Sequence, residues 1–167
     1  AIAAAMGVTL RTDDQLITTY RGLHDLIGKG VPLEEIYGEM MGPLWGEMLR
    51  VPADRLEVLA DGDTLTTGGR TLRAIDTPGH ANHHLALHDG EIGAVFTGDV
   101  AGVRLDGTNH IRPPTPPPEF SPEKWQASIT ALRAIAPRRL YLTHFGAYDD
   151  VSWHLSELLA RTWFWAG

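Results

Sequence analysis

With 167 residues, 43% of them apolar and 21% charged, the chain has the make-up of one ordinary globular domain, able to bury roughly 70% of the surface its unfolded form exposes. A formal net charge of −7 without a basic stripe argues against nucleic acid, no apolar run approaches the ~20 residues that span a bilayer, and the opening AIAAAMGVTL has neither basic flank nor cleavage site for secretion, so the expectation is a cytoplasmic protein with a small-molecule partner. The absence of cysteine excludes disulfides, thiolate metal sites and a cysteine nucleophile, which leaves His, Asp and Glu as metal ligands.

Residues 13–28 set Leu16, Ile17, Tyr20, Leu23 and Ile27 at helical spacing, with Asp13 or Asp14 as cap and Gly28 and Gly30 as stop. A second helical stretch follows Pro32, carries Leu33, Ile36, Tyr37 and Met40, and breaks near Gly42 and Pro43, because proline cannot continue the ladder. Its remainder covers 44–49. From Arg55 onward the pattern becomes short β segments. LEVL leads through the turn DGD to TLTT, a Gly68-Gly69 hairpin turn, RTLRAI, the loop DTPGHANH, HLALH, the turn Asp89-Gly90 and IGAVFTGD. A proline-rich segment, RPPTPPPEFSP over 112–122, reads as an extended connector. It runs into Ser121-Pro122-Glu123, a capped helix start, with Trp125, Ile129, Leu132 and Ile135 or Ala136 as the buried stripe. RLYLTH is a further strand, and a last helix from about Val151 carries Leu155, Leu158 and Leu159. This order predicts an α/β architecture in which helices cover a sheet.

Residues 76–90 hold four of the eight histidines. His80 lies in the loop after RTLRAI, Asp99 ends IGAVFTGD, and His144 terminates RLYLTH. Residues at strand exits converge on one sheet edge although far apart in sequence, and two imidazoles with a carboxylate there suit a transition metal. His80 and His84, four apart, would pair on a helix. Pro78-Gly79 opposes that helix, and the alternation of Leu85 and Leu87 sends His83 and His84 to opposite faces. His24, His83, His88 and His154 read as ordinary helix, turn or packing histidines. Trp125, Trp153, Trp163 and Trp165 read as core or interface anchors.

TPGH, FTGD and LTHFG, in this order and at these separations, resemble the metallo-β-lactamase superfamily, the glyoxalase II-like hydrolases above all, over about residues 51–150. The resemblance implies a four-layer αββα sandwich with a two-zinc site at one edge, iron being the alternative metal. On this likeness His80 is a ligand of the first metal, Asp99 the carboxylate between the two, and His144 a ligand of the second, while His84 supports the ligands without binding metal. The implied reaction is ester, thioester or lactam hydrolysis by metal-bound hydroxide, with Asp99 offsetting the repulsion between the ions. Asn109, His110 and Arg112, on the loop leaving the same edge, are the expected substrate-side wall.

The chain departs from the family at the HxHxDH motif, which supplies further ligands. No two histidines here are separated by one residue, and only His24 precedes position 80. The resulting expectation is a partial domain over 1–167, made of a helical segment at 1–50 and the C-terminal half of the sandwich at 51–167. Such a piece would be inactive alone and would self-associate or exchange elements through its open sheet edge. The alternatives are a non-catalytic scaffold or binding protein with a vestigial half-site, and a mononuclear iron dioxygenase on the same fold.

Overall fold

The structure is a computed structural model that describes residues 38–40, 42–43, 51–105, 107–115, 119–144 and 146–166. The chain divides into two units, residues 1–57 and 58–167. In the first, the described elements include two single-turn 3-10 helices, Gly38–Met40 and Ala53–Arg55. The helix predicted over 13–28, most of the second helix, and His24 lie outside the described residues.

In the second unit, β1 (Thr64–Thr67), β2 (Arg70–Asp76), β3 (Leu85–Asp89) and β4 (Ala94–Phe96) are successive antiparallel neighbours. The chain then forms a 3-10 turn at Gly98–Ala101 and a separate ribbon of β5 (Val103–Arg104) with β6 (Ile111–Arg112). Helix α1 (Pro122–Ile135) follows, and β7 (Arg139–Tyr141) returns parallel to β4. β8 (Ala147–Tyr148) completes a six-stranded sheet ordered β1-β2-β3-β4-β7-β8, and α2 (Val151–Ala166) ends the chain. A parallel step needs a long crossover, and here the turn, ribbon and α1 supply it.

Helix α1 begins as its sequence predicts. Ser121 Oγ accepts the Lys124 amide, Pro122 occupies the first turn, and Ala136 closes the helix in the left-handed region. Its stripe of Trp125, Ile129 and Leu132 meets Val151, Leu155 and Leu158 of α2 over Ile75, Ala86, Val95, Leu140 and Leu142 of the sheet. Those five alternate onto one sheet face, so both helices cover that face. In the described residues this is a helical layer on a sheet, two of the four layers the resemblance implies. Among the described residues no helix is long and apolar enough to cross a membrane.

The strands are shorter than the sequence suggests. LEVL forms none. The Gly62 amide bonds Ala74 O and the Ala74 amide bonds Asp63 O, but the Asp61 carboxylate then takes the Asp76 amide. That side chain ends the ladder, and Leu56 and Val58 stay 62% and 91% exposed. IGAVFTGD pairs only over Ala94–Phe96, and RLYLTH only over Arg139–Tyr141. The Leu142 amide bonds Gly146 O, so His144 sits in a tight turn whose sheet contact is a single bridge to Val103. His80, Asp99 and His144 therefore lie three or four residues beyond the last strand residues, Asp76, Phe96 and Tyr141.

The His80 loop is seated on α1. Ser121 donates its amide to Gly79 O, and Ser128 donates its hydroxyl to Pro78 O at 2.6 Å. Gly79 has φ of 130°, and a Cβ there would stand 2.6 Å from both N and Cα of Trp125. Gly79→Ala is therefore expected to lower unfolding stability by more than about 2 kcal/mol, combining backbone strain with overlap against an immobile helix backbone. Urea denaturation of the two proteins measures it, and a loss within error of zero contradicts this packing.

Candidate metal centre

Asp99 is presented by the Gly98–Ala101 turn, whose backbone polar groups are taken up by three side chains from three elements. The Asp99 amide donates to His84 Nε2 at 2.9 Å, Trp125 Nε1 donates to Val100 O at 2.7 Å, and His154 Nε2 donates to Ala101 O at 2.8 Å. The Gly102 amide closes the turn onto Asp99 O at 2.9 Å. Gly98 has φ of 53°, and any Cβ there would overlap the His84 ring. Glycine is thus required for the approach that holds Asp99.

The two histidines at 80 and 84 have different roles, set by their partners. His84 Nε2 accepts an amide proton, so its own proton is on Nδ1, which donates to Thr77 Oγ1 at 2.8 Å. The Thr77 hydroxyl in turn reaches His84 O at 3.4 Å. Both ring nitrogens are occupied, and burial, then the neighbouring His80, pushes the pKa of His84 below its ordinary value. His84 stays neutral and cannot ligate. His80 faces the other way. Its Nδ1 lies 2.9 Å from Pro114 O, a group that only accepts, so Nδ1 carries the proton and Nε2 is free to donate a lone pair. That Nε2 is 3.2 Å from Asp99 Oδ2.

His144 Nε2 stands 3.0 Å from the other oxygen, Asp99 Oδ1. Asp99 is 27% exposed as a side chain, yet Oδ1 itself is buried and accepts no hydrogen bond of acceptable geometry, His144 included. A carboxylate with one imidazole nitrogen before each oxygen, and one oxygen buried without a hydrogen bond, favours positive charge beside it. His80, Asp99 and His144 therefore fit zinc or another divalent ion with nitrogen and oxygen preference. The arrangement is a row of histidine, carboxylate and histidine: among the described residues no three His, Asp or Glu converge on one ion-sized point.

The expected wall is less directly placed. Arg112 is opposite Val103, the residue bridged to His144, and its Nε donates to His110 Nε2 at 2.6 Å. Asn109 Oδ1 is 3.5 Å from Arg104 Nη2. His83 is exposed, and His88 lies half-buried on β3 opposite Arg73. Trp125 is fully buried, whereas Trp153 and Trp163 are exposed in part. His154 is fully buried, with burial as the main cause of its lowered pKa. Its spacing with Val151, Leu155, Leu158 and Thr162 marks the buried stripe of α2, a signal the sequence carried. Thr77 and Pro114 left no comparable mark.

The model of the metallo-beta-lactamase superfamily matches residues 17–144. The metallo-beta-lactamase fold-containing protein ST1585 of Sulfurisphaera tokodaii is 25% identical over 77% of this chain and 48% of its own length. Its solved structure covers 81% of this chain and 50% of that one, with 23% identity and a TM-score of 0.60, which shows a shared fold. An atrochrysone carboxyl ACP thioesterase of Cryptosporiopsis is 25% identical over 87% of this chain and 41% of its own. A hydroxyacylglutathione hydrolase of Hyphomonas neptunium is 37% identical over 45% and 29%. The chain thus spans about half or less of the length of these relatives.

Burial of His84 and His154 has a consequence for pH. Both fold with pKa values below the ordinary 6.5, so the unfolded chain binds more protons, and stability is full above that value and lost as the pH falls from there through the lowered folded values. Urea midpoints between about pH 8 and pH 5 should fall on acidification. His154→Gln, which keeps a donor for Ala101 but does not titrate, should flatten part of the slope.

Proposed function

Because the chain belongs to the metallo-β-lactamase superfamily, we propose that it is a metal-dependent hydrolase of activated acyl compounds, with His80, Asp99 and His144 as metal donors. The observation that carries this reading is the Asp99 carboxylate, held with an imidazole nitrogen before each of its oxygens and with Oδ1 buried and unbonded. The names of two relatives, a carboxyl ACP thioesterase and a hydroxyacylglutathione hydrolase, favour a thioester over a lactam. Zinc is the first choice of metal, iron the second. The chemistry such ions supply when bound is Lewis acidity: a water made acidic near neutral pH and a polarised scissile carbonyl.

The chain's own groups prepare that chemistry. Pro114 O holds the proton of His80 away from the edge, so Nε2 presents a lone pair. Asp99 would hold such ions through its carboxylate, whose negative charge would lower the repulsion between neighbouring cations. His84 anchors the backbone of Asp99 without competing for metal. Arg112 and His110, on the ribbon that touches the His144 turn, would face the part of the substrate away from the reacting carbonyl and favour an anionic group there.

Three donors fall short of two complete coordination shells, so further donors are required for the full site. The second reading, a scaffold with a vestigial half-site, draws on the row-like layout, in which no three donors close on one point among the described residues.

Elemental analysis and thiol release from an acyl thioester separate the two. On the hydrolase reading the zinc-treated chain retains metal but turns over only once further donors complete the site, and there Asp99→Asn or His144→Ala lowers kcat/KM by about a hundredfold or more. Turnover that survives both substitutions sinks the assignment of these donors. A chain that holds no zinc supports the scaffold.

A further inference from the structure

One buried charge close to the donors is not used by the metal reading. Arg104 lies on β5, five residues beyond Asp99, with its side chain only 9% exposed. Its Nη1 donates to both oxygens of Asp150 at 2.8 and 2.9 Å, Nε to Thr108 O at 3.3 Å, and Nη2 to Asn109 Oδ1 at 3.5 Å. The guanidinium carbon lies over the rings of Tyr148 and Trp153, 4.2 and 4.9 Å from their centres. Tyr148 returns a hydrogen bond from its hydroxyl to Arg104 O.

These partners belong to two segments, one with Thr108 and Asn109 and the other with Tyr148, Asp150 and Trp153. The preceding residue, Val103, is the one bridged to His144. Arg104 thus sits on the segment that bears Asp99 and grips, with its side chain and its carbonyl, Tyr148, Asp150 and Trp153, which follow the turn that bears His144.

We propose that Arg104 is a positioning residue, which fixes the His144 turn to the Asp99 segment so that His144 Nε2 stands 3.0 Å from Asp99 Oδ1. The proposal rests on the reading of His80, Asp99 and His144 as metal donors. Lysine cannot replace the planar fork, which bonds two segments at its edge while its faces stack on aromatic rings.

The test uses the full chain with Arg104→Lys, Asp150→Asn and Tyr148→Phe, and Leu140→Ala as a core control. Cobalt(II) titration followed by visible absorption measures affinity, thermal melting measures fold, and backbone NMR without metal reads Asp99 and His144. Arg104→Lys and Asp150→Asn are expected to weaken cobalt binding about tenfold, the scale of groups that orient metal ligands, and to shift the His144 resonances at nearly unchanged melting temperature. Tyr148→Phe, losing one hydroxyl, gives a smaller change in the same direction. If Arg104→Lys does not fold, Asp150→Asn, altering a side chain 43% exposed, carries the test.

Wild-type affinity and unmoved His144 resonances in these variants overturn the proposal, and so does an equal loss of affinity in Leu140→Ala. If the wild type takes up no cobalt, the donor reading fails, and the metal-free spectra still decide: His144 resonances that shift in Arg104→Lys or Asp150→Asn uphold the positioning role, and unchanged ones overturn it.

Discussion

One oxygen of the Asp99 carboxylate, Oδ1, is buried without a hydrogen bond, and this constraint shapes the turn around it. An unpaired buried acceptor costs about 1–3 kcal/mol, so the chain cannot leave the rest of the turn unsatisfied as well. It saturates the backbone instead. The amide of Asp99 and the carbonyls of Val100 and Ala101 are each bonded by a ring nitrogen, from His84, Trp125 and His154. The carboxylate is aimed by groups that never touch it.

The division of labour between sheet and helices follows from that. Strands β2, β4 and β7 bring three chain segments to one edge and stop three or four residues short of His80, Asp99 and His144. The final placement comes from the helical side. Trp125 and Ser128 of α1 hold the Asp99 turn and the Pro78-Gly79 loop, and His154 of α2 holds Ala101. These two rings are fully buried, so the packing that stabilises the unit and the geometry of its edge are one set of contacts. A substitution that loosens this packing therefore loosens the loops at the edge as well.

How much of this was legible in the sequence depended on range. Order and strand-exit location of His80, Asp99 and His144 were readable because loops after strands share an edge. The α1 cap at Ser121 and the stripe of Trp125, Ile129 and Leu132 were local patterns and hold in the structure. Strand ends were not readable, because pairing is decided by partners elsewhere: Asp61 closes β2 by taking the Asp76 amide, and nothing in LEVL announces it. The β5–β6 ribbon has only two rungs, too few for a periodic signal. Arg104 meets Asp150 across 46 positions of sequence, and a lone arginine in a loop carries no mark of such a partner.

The contrast between His80 and His84 shows where residue type stops being informative. The rings are 5.7 Å apart and lie in neighbouring loop positions, so spacing alone would make them a ligand pair. What separates them is the chemistry of one neighbour each. His80 meets a carbonyl at Nδ1, which can only accept, and its Nε2 lone pair is thereby turned to the edge. His84 meets an amide at Nε2, which can only donate, and its lone pair is consumed in holding Asp99. Protonating His84 would set an N–H against an N–H, so the same contact that anchors the carboxylate also keeps this imidazole neutral beside it. One histidine turns its lone pair to the edge and the other spends it on the Asp99 amide, through the polarity of a single backbone group that only the fold can bring within reach.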